Sequence, residues 1–161
     1  MHSGSLLEQH CRVGLSRVLP GIIFILLALG AASLLCGWDL KADRQALRDA
    51  VESGALPSSI MDGKQIVCFY SMVCPYCEKN AERLERSRAK SGHNDIPLTV
   101  VFGRPSEPRD PSLFFDKCGL EYDGLAYLDQ DIFLDVVCGR WPLVLVLKDG
   151  RIIRKMTYRG L

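Results

Sequence analysis

An α/β domain with helices on both faces of a central mixed sheet is the fold class this sequence predicts, and three observations carry it. Short apolar runs bounded by turn residues alternate with amphipathic, helix-forming segments along the chain. The run Gln65 to Tyr70 is apolar almost throughout, as a strand covered on both faces requires. Finally, Leu143 to Met156 reads as a terminal hairpin around Lys148-Asp149-Gly150. With 161 residues there is room for one ordinary domain plus a terminal appendage. The 20 Lys and Arg against 19 Asp and Glu leave a net charge of +1, so nothing electrostatic recommends nucleic acid as a partner.

The appendage is Val18 to Cys36, which holds no ionisable side chain except its thiol. As a helix it would reach ~28 Å, close to the ~30 Å hydrocarbon core of a bilayer. Arg12 and Arg17 precede it against Glu8, while Asp39, Lys41, Asp43 and Arg44 after it balance. That bias makes 1–17 a cytoplasmic segment, 18–38 a transmembrane anchor with Trp38 at the interface, and 39–161 a domain on the extracytoplasmic, periplasmic side. Two other readings stay open: a cleaved signal at Ala28-Leu29-Gly30 or Ala31-Ala32-Ser33, and lipidation at Cys36, which Leu35 fits poorly. All three export the domain. Of seven cysteines, Cys11 lies on the inner side, Cys36 at the boundary, and Cys68, Cys74, Cys77, Cys118 and Cys138 in the exported part, where disulfides can persist. Five is odd, so at least one exported thiol lacks an intramolecular partner.

In chain order, Asp39 to Gly54 reads as a helix from the spacing of Leu40, Leu47 and Val51, and Gln65 to Tyr70 as the first buried strand. Pro75 to about Ser91 is the next helix, with Pro75 in its first turn and a narrow inner face of Cys77, Ala81 and Leu84. Its charged remainder, Arg88 included, reads as a solvated face. Leu98 to Phe102 is the second strand, Pro111 to Cys118 a short helix, and Asp129 to Val137 another with Asp129 as cap; the hairpin closes the domain.

Cys74 and Cys77 stand two residues apart at a strand-to-helix junction. The first sulfur then sits at a helix N-terminus, where free N–H groups and the macrodipole stabilise a thiolate, and the second lies one turn inside. Cys74 is thus the expected attacking sulfur and Cys77 the resolving one, and the pair can run reduction or oxidation. A plain structural disulfide or half of a zinc site would use the same spacing. Zinc needs a second close pair, however, and Cys118 and Cys138 have 19 residues between them and no nearby His. No metal or other cofactor is expected. His2, His10 and His93 have no partner pattern, and Cys118 with Cys138 could form a second disulfide or pack as small core residues.

Over roughly 39–161 the sequence resembles the thioredoxin-like superfamily. Val67 to Cys77 is similar to that family's first strand running into its active site, and Trp141 to Arg151 to the segment that starts at its cis-proline and continues into the last hairpin. The Pro75-Tyr76 dipeptide is similar to that of glutaredoxins, and the anchored arrangement to membrane-tethered members of the TlpA group. The resemblance implies thiol-disulfide oxidoreductase activity on exported proteins, with Cys74 and Cys77 catalytic, Pro75, Tyr76, Trp141 and Pro142 in support, and thiol or disulfide proteins plus a redox partner as partners. By analogy with anchored relatives the direction is reduction. The rival expectation is a non-catalytic binding or assembly module with a structural disulfide. Three features depart from the family. Cys68 stands where many members carry an acid, Trp141 is bulkier than the usual residue before the cis-proline, and the five residues after Met156 leave little room for a last helix. In an apolar strand Cys68 should be buried and inert.

Overall fold

The computed structural model describes residues 44–92 and 95–157. The expected anchor at 18–38, the segment before it and His93 lie outside the described residues. Among those described, no helix is long and apolar enough to cross a membrane.

The elements are helix α1 (44–52), a 3-10 turn Ser58–Met61, strand β1 (Lys64–Tyr70), helix α2 (Pro75–Ser91), β2 (Leu98–Gly103), α3 (Ser112–Cys118), β3 (Gly124–Leu128), α4 (Gln130–Val137), β4 (Leu143–Lys148) and β5 (Arg151–Thr157). The five strands form one sheet in the order β3-β2-β1-β4-β5. β1 pairs in parallel with β2, and β2 with β3, whereas β4 is antiparallel to both β1 and β5. The sheet is therefore mixed and β1 is its centre. With a Cys-x-x-Cys helix leaving the central strand and a cis Trp141-Pro142 bond entering β4, this is a thioredoxin-like α/β fold.

Alternation along β1 separates two cores. Ile66, Cys68 and Tyr70 face α2 and α3, where they pack with Cys77, Ala81, Leu84, Phe114 and Cys118. Val67 and Phe69 face the other way, against Leu47 and Ala50 of α1, Ile60, and Phe133, Val136 and Val137 of α4. Val67, Cys68, Phe69 and Tyr70 are completely buried, and at ~1.5–3 kcal/mol per large apolar side chain this strand anchors both layers.

Three features differ from the sequence expectations. β3 had no counterpart among the expected elements; it is an edge strand, mostly half-buried, and it begins at a glycine. A Cβ on Gly124 would stand 2.9 Å from Thr99 Oγ1, so close pairing with β2 requires the missing side chain. Arg88 is not on a solvated face but buried, its guanidinium donating to the carbonyls of Glu121 (3.0 Å) and Ile96 (3.4 Å). It continues the 77-81-84 stripe by one more turn, so it holds two connecting loops against α2. Asp129 does occupy the N-cap of α4, yet its carboxylate makes no capping bond and instead pairs with Arg104 at 3.2 Å. The hairpin matches expectation, with Asp149 (φ 48°) and Gly150 (φ 69°) supplying the two left-handed residues of its turn.

Candidate active site

β1 ends at Tyr70 and the chain turns at once, the Cys74 N–H donating to the Ser71 carbonyl at 3.1 Å. Cys74 is the N-cap residue of α2, with extended backbone (φ −95°, ψ 110°), and Pro75 follows at N1, where no N–H is needed. Its carbonyl accepts from the N–H groups of Cys77 (2.9 Å) and Glu78 (3.2 Å), so the first turn is closed on the cysteine itself. The Cys74 side chain is half-buried and Cys77 is fully buried below it.

The Cys77 sulfur accepts a hydrogen bond from the Ser71 N–H at 3.4 Å and shares another with Cys74. Burial pushes the Cys77 thiol well above its ordinary range; the Ser71 N–H opposes this, while Cys74 and Glu78 add to it. The pair thus consists of one reachable sulfur and one held as a thiol beneath it. Cys68, Cys74, Cys77 and Cys118 are free thiols.

Val73 (62% exposed) and Tyr76 (56%), which flank the motif's cysteines in sequence, and Trp141 (41%) are large apolar side chains left exposed, Trp141 leaning on Phe133 with ring centroids 6.5 Å apart. Leu143 pairs with Phe69 at the end of β1, so the cis Trp141-Pro142 bond lies at the same end of the sheet as the cysteines. Pro142 is buried and Pro75 exposed.

Below the sulfurs lies a layer that sequence reasoning did not identify. The Tyr70 hydroxyl donates to Asn80 Oδ1 at 2.8 Å, both side chains being buried, and it shares a hydrogen bond with the Cys68 thiol. Cys68 is buried as expected. Burial pushes its thiol up to about 12, against smaller opposing pulls from Tyr70 and Arg88. The signal for this layer was available in spacing: Tyr70 shares a strand face with Cys68, and Asn80 lies one helical turn beyond Cys77.

Cys118 and Cys138 are not brought together. Cys118 is buried in the core beneath α2 and α3, whereas Cys138 caps α4 and is exposed on the side of α1 and α4. The sheet separates them, so the second disulfide considered from sequence is not formed.

No family model matches the chain, and neither does any curated protein. Among solved structures it is similar to the thioredoxin domain of a thiol-disulfide oxidoreductase from Bacteroides vulgatus (15% identity, 62% of this chain and 73% of that one, TM-score 0.49). It is also similar to a thiol:disulfide interchange protein from Bacteroides sp. (15%, 62% and 67%, TM-score 0.48). A third is a secreted disulfide oxidoreductase from Mycobacterium tuberculosis (14%, 59% and 69%, TM-score 0.44).

Proposed function

We propose that this chain is a thiol-disulfide oxidoreductase that reduces disulfides of exported proteins through Cys74 and Cys77. The observation that carries this reading is the stacking of the two sulfurs: one half-exposed at the N-cap of α2, the other buried one turn inside and hydrogen-bonded to it. In the forward direction the Cys74 thiolate attacks a substrate disulfide, forming a mixed disulfide and releasing one substrate thiolate. Cys77 then loses its proton and attacks Cys74 Sγ, so the Cys74–Cys77 disulfide forms and the second substrate thiolate leaves. Two protons, one from each protein thiol, end on the two substrate sulfurs. A dithiol partner must return two electrons before the next cycle.

The exposure of Val73, Tyr76 and Trp141 supports docking of an unfolded or extended polypeptide, which presents apolar side chains beside its cysteines. The charge asymmetry and length of 18–38 support a membrane anchor with the domain on the periplasmic side. A topology reporter fused after Leu161 tests that placement, and activity on the cytoplasmic side would reverse it.

Insulin reduction in the presence of a dithiol donor tests the activity. The wild-type chain should accelerate turbidity and Cys74→Ser should abolish the acceleration. A wild-type chain indistinguishable from buffer would favour a non-catalytic binding module instead. Equilibration of the pair in a glutathione series then fixes direction, a strongly negative potential supporting reduction.

A further inference from the structure

Asn80 is 1% exposed and sits one helical turn beyond Cys77 on the same stripe of α2, where Cβ atoms of such pairs are ~5–6 Å apart. Its Oδ1 is occupied by the Tyr70 hydroxyl, and with that acceptor engaged the amide turns its Nδ2 away from Tyr70. Nδ2 has no hydrogen-bond partner among the described residues. A buried donor left unpaired costs about 1–3 kcal/mol, and leucine would fill the same volume without that cost. Such a donor is useful where its acceptor exists for only part of a cycle. Cys77 Sγ is that kind of acceptor: weak as a thiol, strong as the thiolate that must form before it attacks Cys74.

The geometry points to Asn80 as a positioning residue for the second half of the exchange, its Nδ2 donating across one bridging water to the Cys77 thiolate while Tyr70 holds the amide in that orientation. This rests on the exchange reading proposed above and adds to it a specific support for the resolving sulfur. The pair supplies hydrogen bonds and no proton. The Cys77 proton leaves to the thiolate released in the first half-reaction or to solvent, and the electron pair left on Cys77 makes the new bond to Cys74 Sγ. A hydrogen bond across one water is nearly as good as a direct one, so a donor and a sulfur one helical turn apart need not touch. The titratable groups that act on Cys77 are Cys74 and Glu78 on α2 and Tyr70 on β1; Tyr70 in turn faces Cys68 and Cys118, Arg88 acts on Cys68, and Lys117 on α3 reaches Glu78. Lys117 is engaged by Glu78 at 3.0 Å, and the thiol at 68 stays protonated at neutral pH. Beside the Ser71 N–H already on the sulfur, the Asn80 amide is therefore a second uncharged donor for the resolving thiolate whatever the pH.

The test uses full-length protein with Cys11, Cys36 and Cys138 replaced by Ser, reduced and mixed with 5,5′-dithiobis(2-nitrobenzoate) across a pH series. Attack by Cys74 releases one nitrothiobenzoate in a phase whose rate rises with reagent, and resolution by Cys77 releases a second in a reagent-independent phase. Asn80→Leu should slow the second phase about tenfold or more, the low end for a lost hydrogen bond to a charged group, and move its pH midpoint upward. The first phase should stay within about twofold of wild type on the same grounds. Tyr70→Phe, which removes one oxygen and opens no cavity, should give a smaller loss of the same kind and decides the matter should Asn80→Leu fail to fold. An unchanged second phase and midpoint in a folded Asn80→Leu, or in Tyr70→Phe where that decides, overturns the inference, as does a parallel fall of both phases. A wild-type chain with no second phase would instead sink the exchange reading, and this inference with it.

Discussion

Replacing Cys68 with aspartate should make the stability of the domain depend on pH. The thiol at 68 is completely enclosed between β1 and the helices above it, and burial is the main cause that takes it from an ordinary 9.0 to about 12. A carboxyl in the same place would meet the same loss of hydration. Three decades of acidity at ~1.4 kcal/mol each amount to about 4 kcal/mol against the ionised form. The aspartate would then titrate near ~7 in the folded chain and near ~4 in the unfolded one. Below pH ~4 the carboxyl is neutral in both states and the variant bears only the packing cost of the exchange. Between ~4 and ~7 the folded state retains a proton that the unfolded state has released, so stability falls as pH rises, and above ~7 the whole ~4 kcal/mol is lost. Urea unfolding of Cys68→Asp, Cys68→Ser and wild type at pH 4, 6 and 8 measures this. The gap between Cys68→Asp and Cys68→Ser should widen steadily across the series. A gap that does not change with pH would refute the reasoning, because it would mean that position 68 is hydrated.

Cys74 should be alkylated faster than Cys77 in the reduced protein at neutral pH, since one is reachable and the other enclosed; equal rates by peptide mapping would contradict that geometry. Cys68→Ala should leave disulfide exchange within a few-fold of wild type, and abolished exchange in a folded variant would make that thiol a participant. Arg88→Leu should cost about 3 kcal/mol in urea unfolding, because the carbonyls of Ile96 and Glu121 lose a buried cationic donor. A loss under about 1 kcal/mol would show those carbonyls finding water instead. Gly124→Ala should cost about 1–3 kcal/mol through contact with Thr99, and Thr99→Ala in the same chain should recover part of it. Purely additive losses would place the strain elsewhere.

The strands and helices that were legible in the sequence are those whose signal is local. β1, α2 and the hairpin announce themselves through apolar runs, a Pro at the helix start and an Asp-Gly turn, and all three stand where expected. β3 could not be read this way: Gly124-Leu125-Ala126-Tyr127-Leu128 has no β-branched residue, and what makes it a strand is the exposed flank of β2. Arg88 was misread because charge outweighed period, although its stripe position was visible. The two sulfurs of the site follow from a four-residue motif, whereas the Tyr70–Asn80 pair depends on β1 and α2 lying across one another, which is a tertiary fact.

The central position of β1 also governs when the molecule can be completed. Its parallel neighbour β2 follows within a few tens of residues, but its antiparallel neighbour aligns Lys64 with Lys148 and Phe69 with Leu143, much later in the sequence. Until that late segment has been synthesised, one flank of the most apolar strand has open N–H and C=O groups and no partner, which is the state in which strands recruit other chains. Premature termination before Leu143 should therefore yield an aggregating chain, not a smaller working domain. Among the described strands, β4 and β5 emerge latest from the ribosome, and β4 closes the flank of β1 beside the two cysteines.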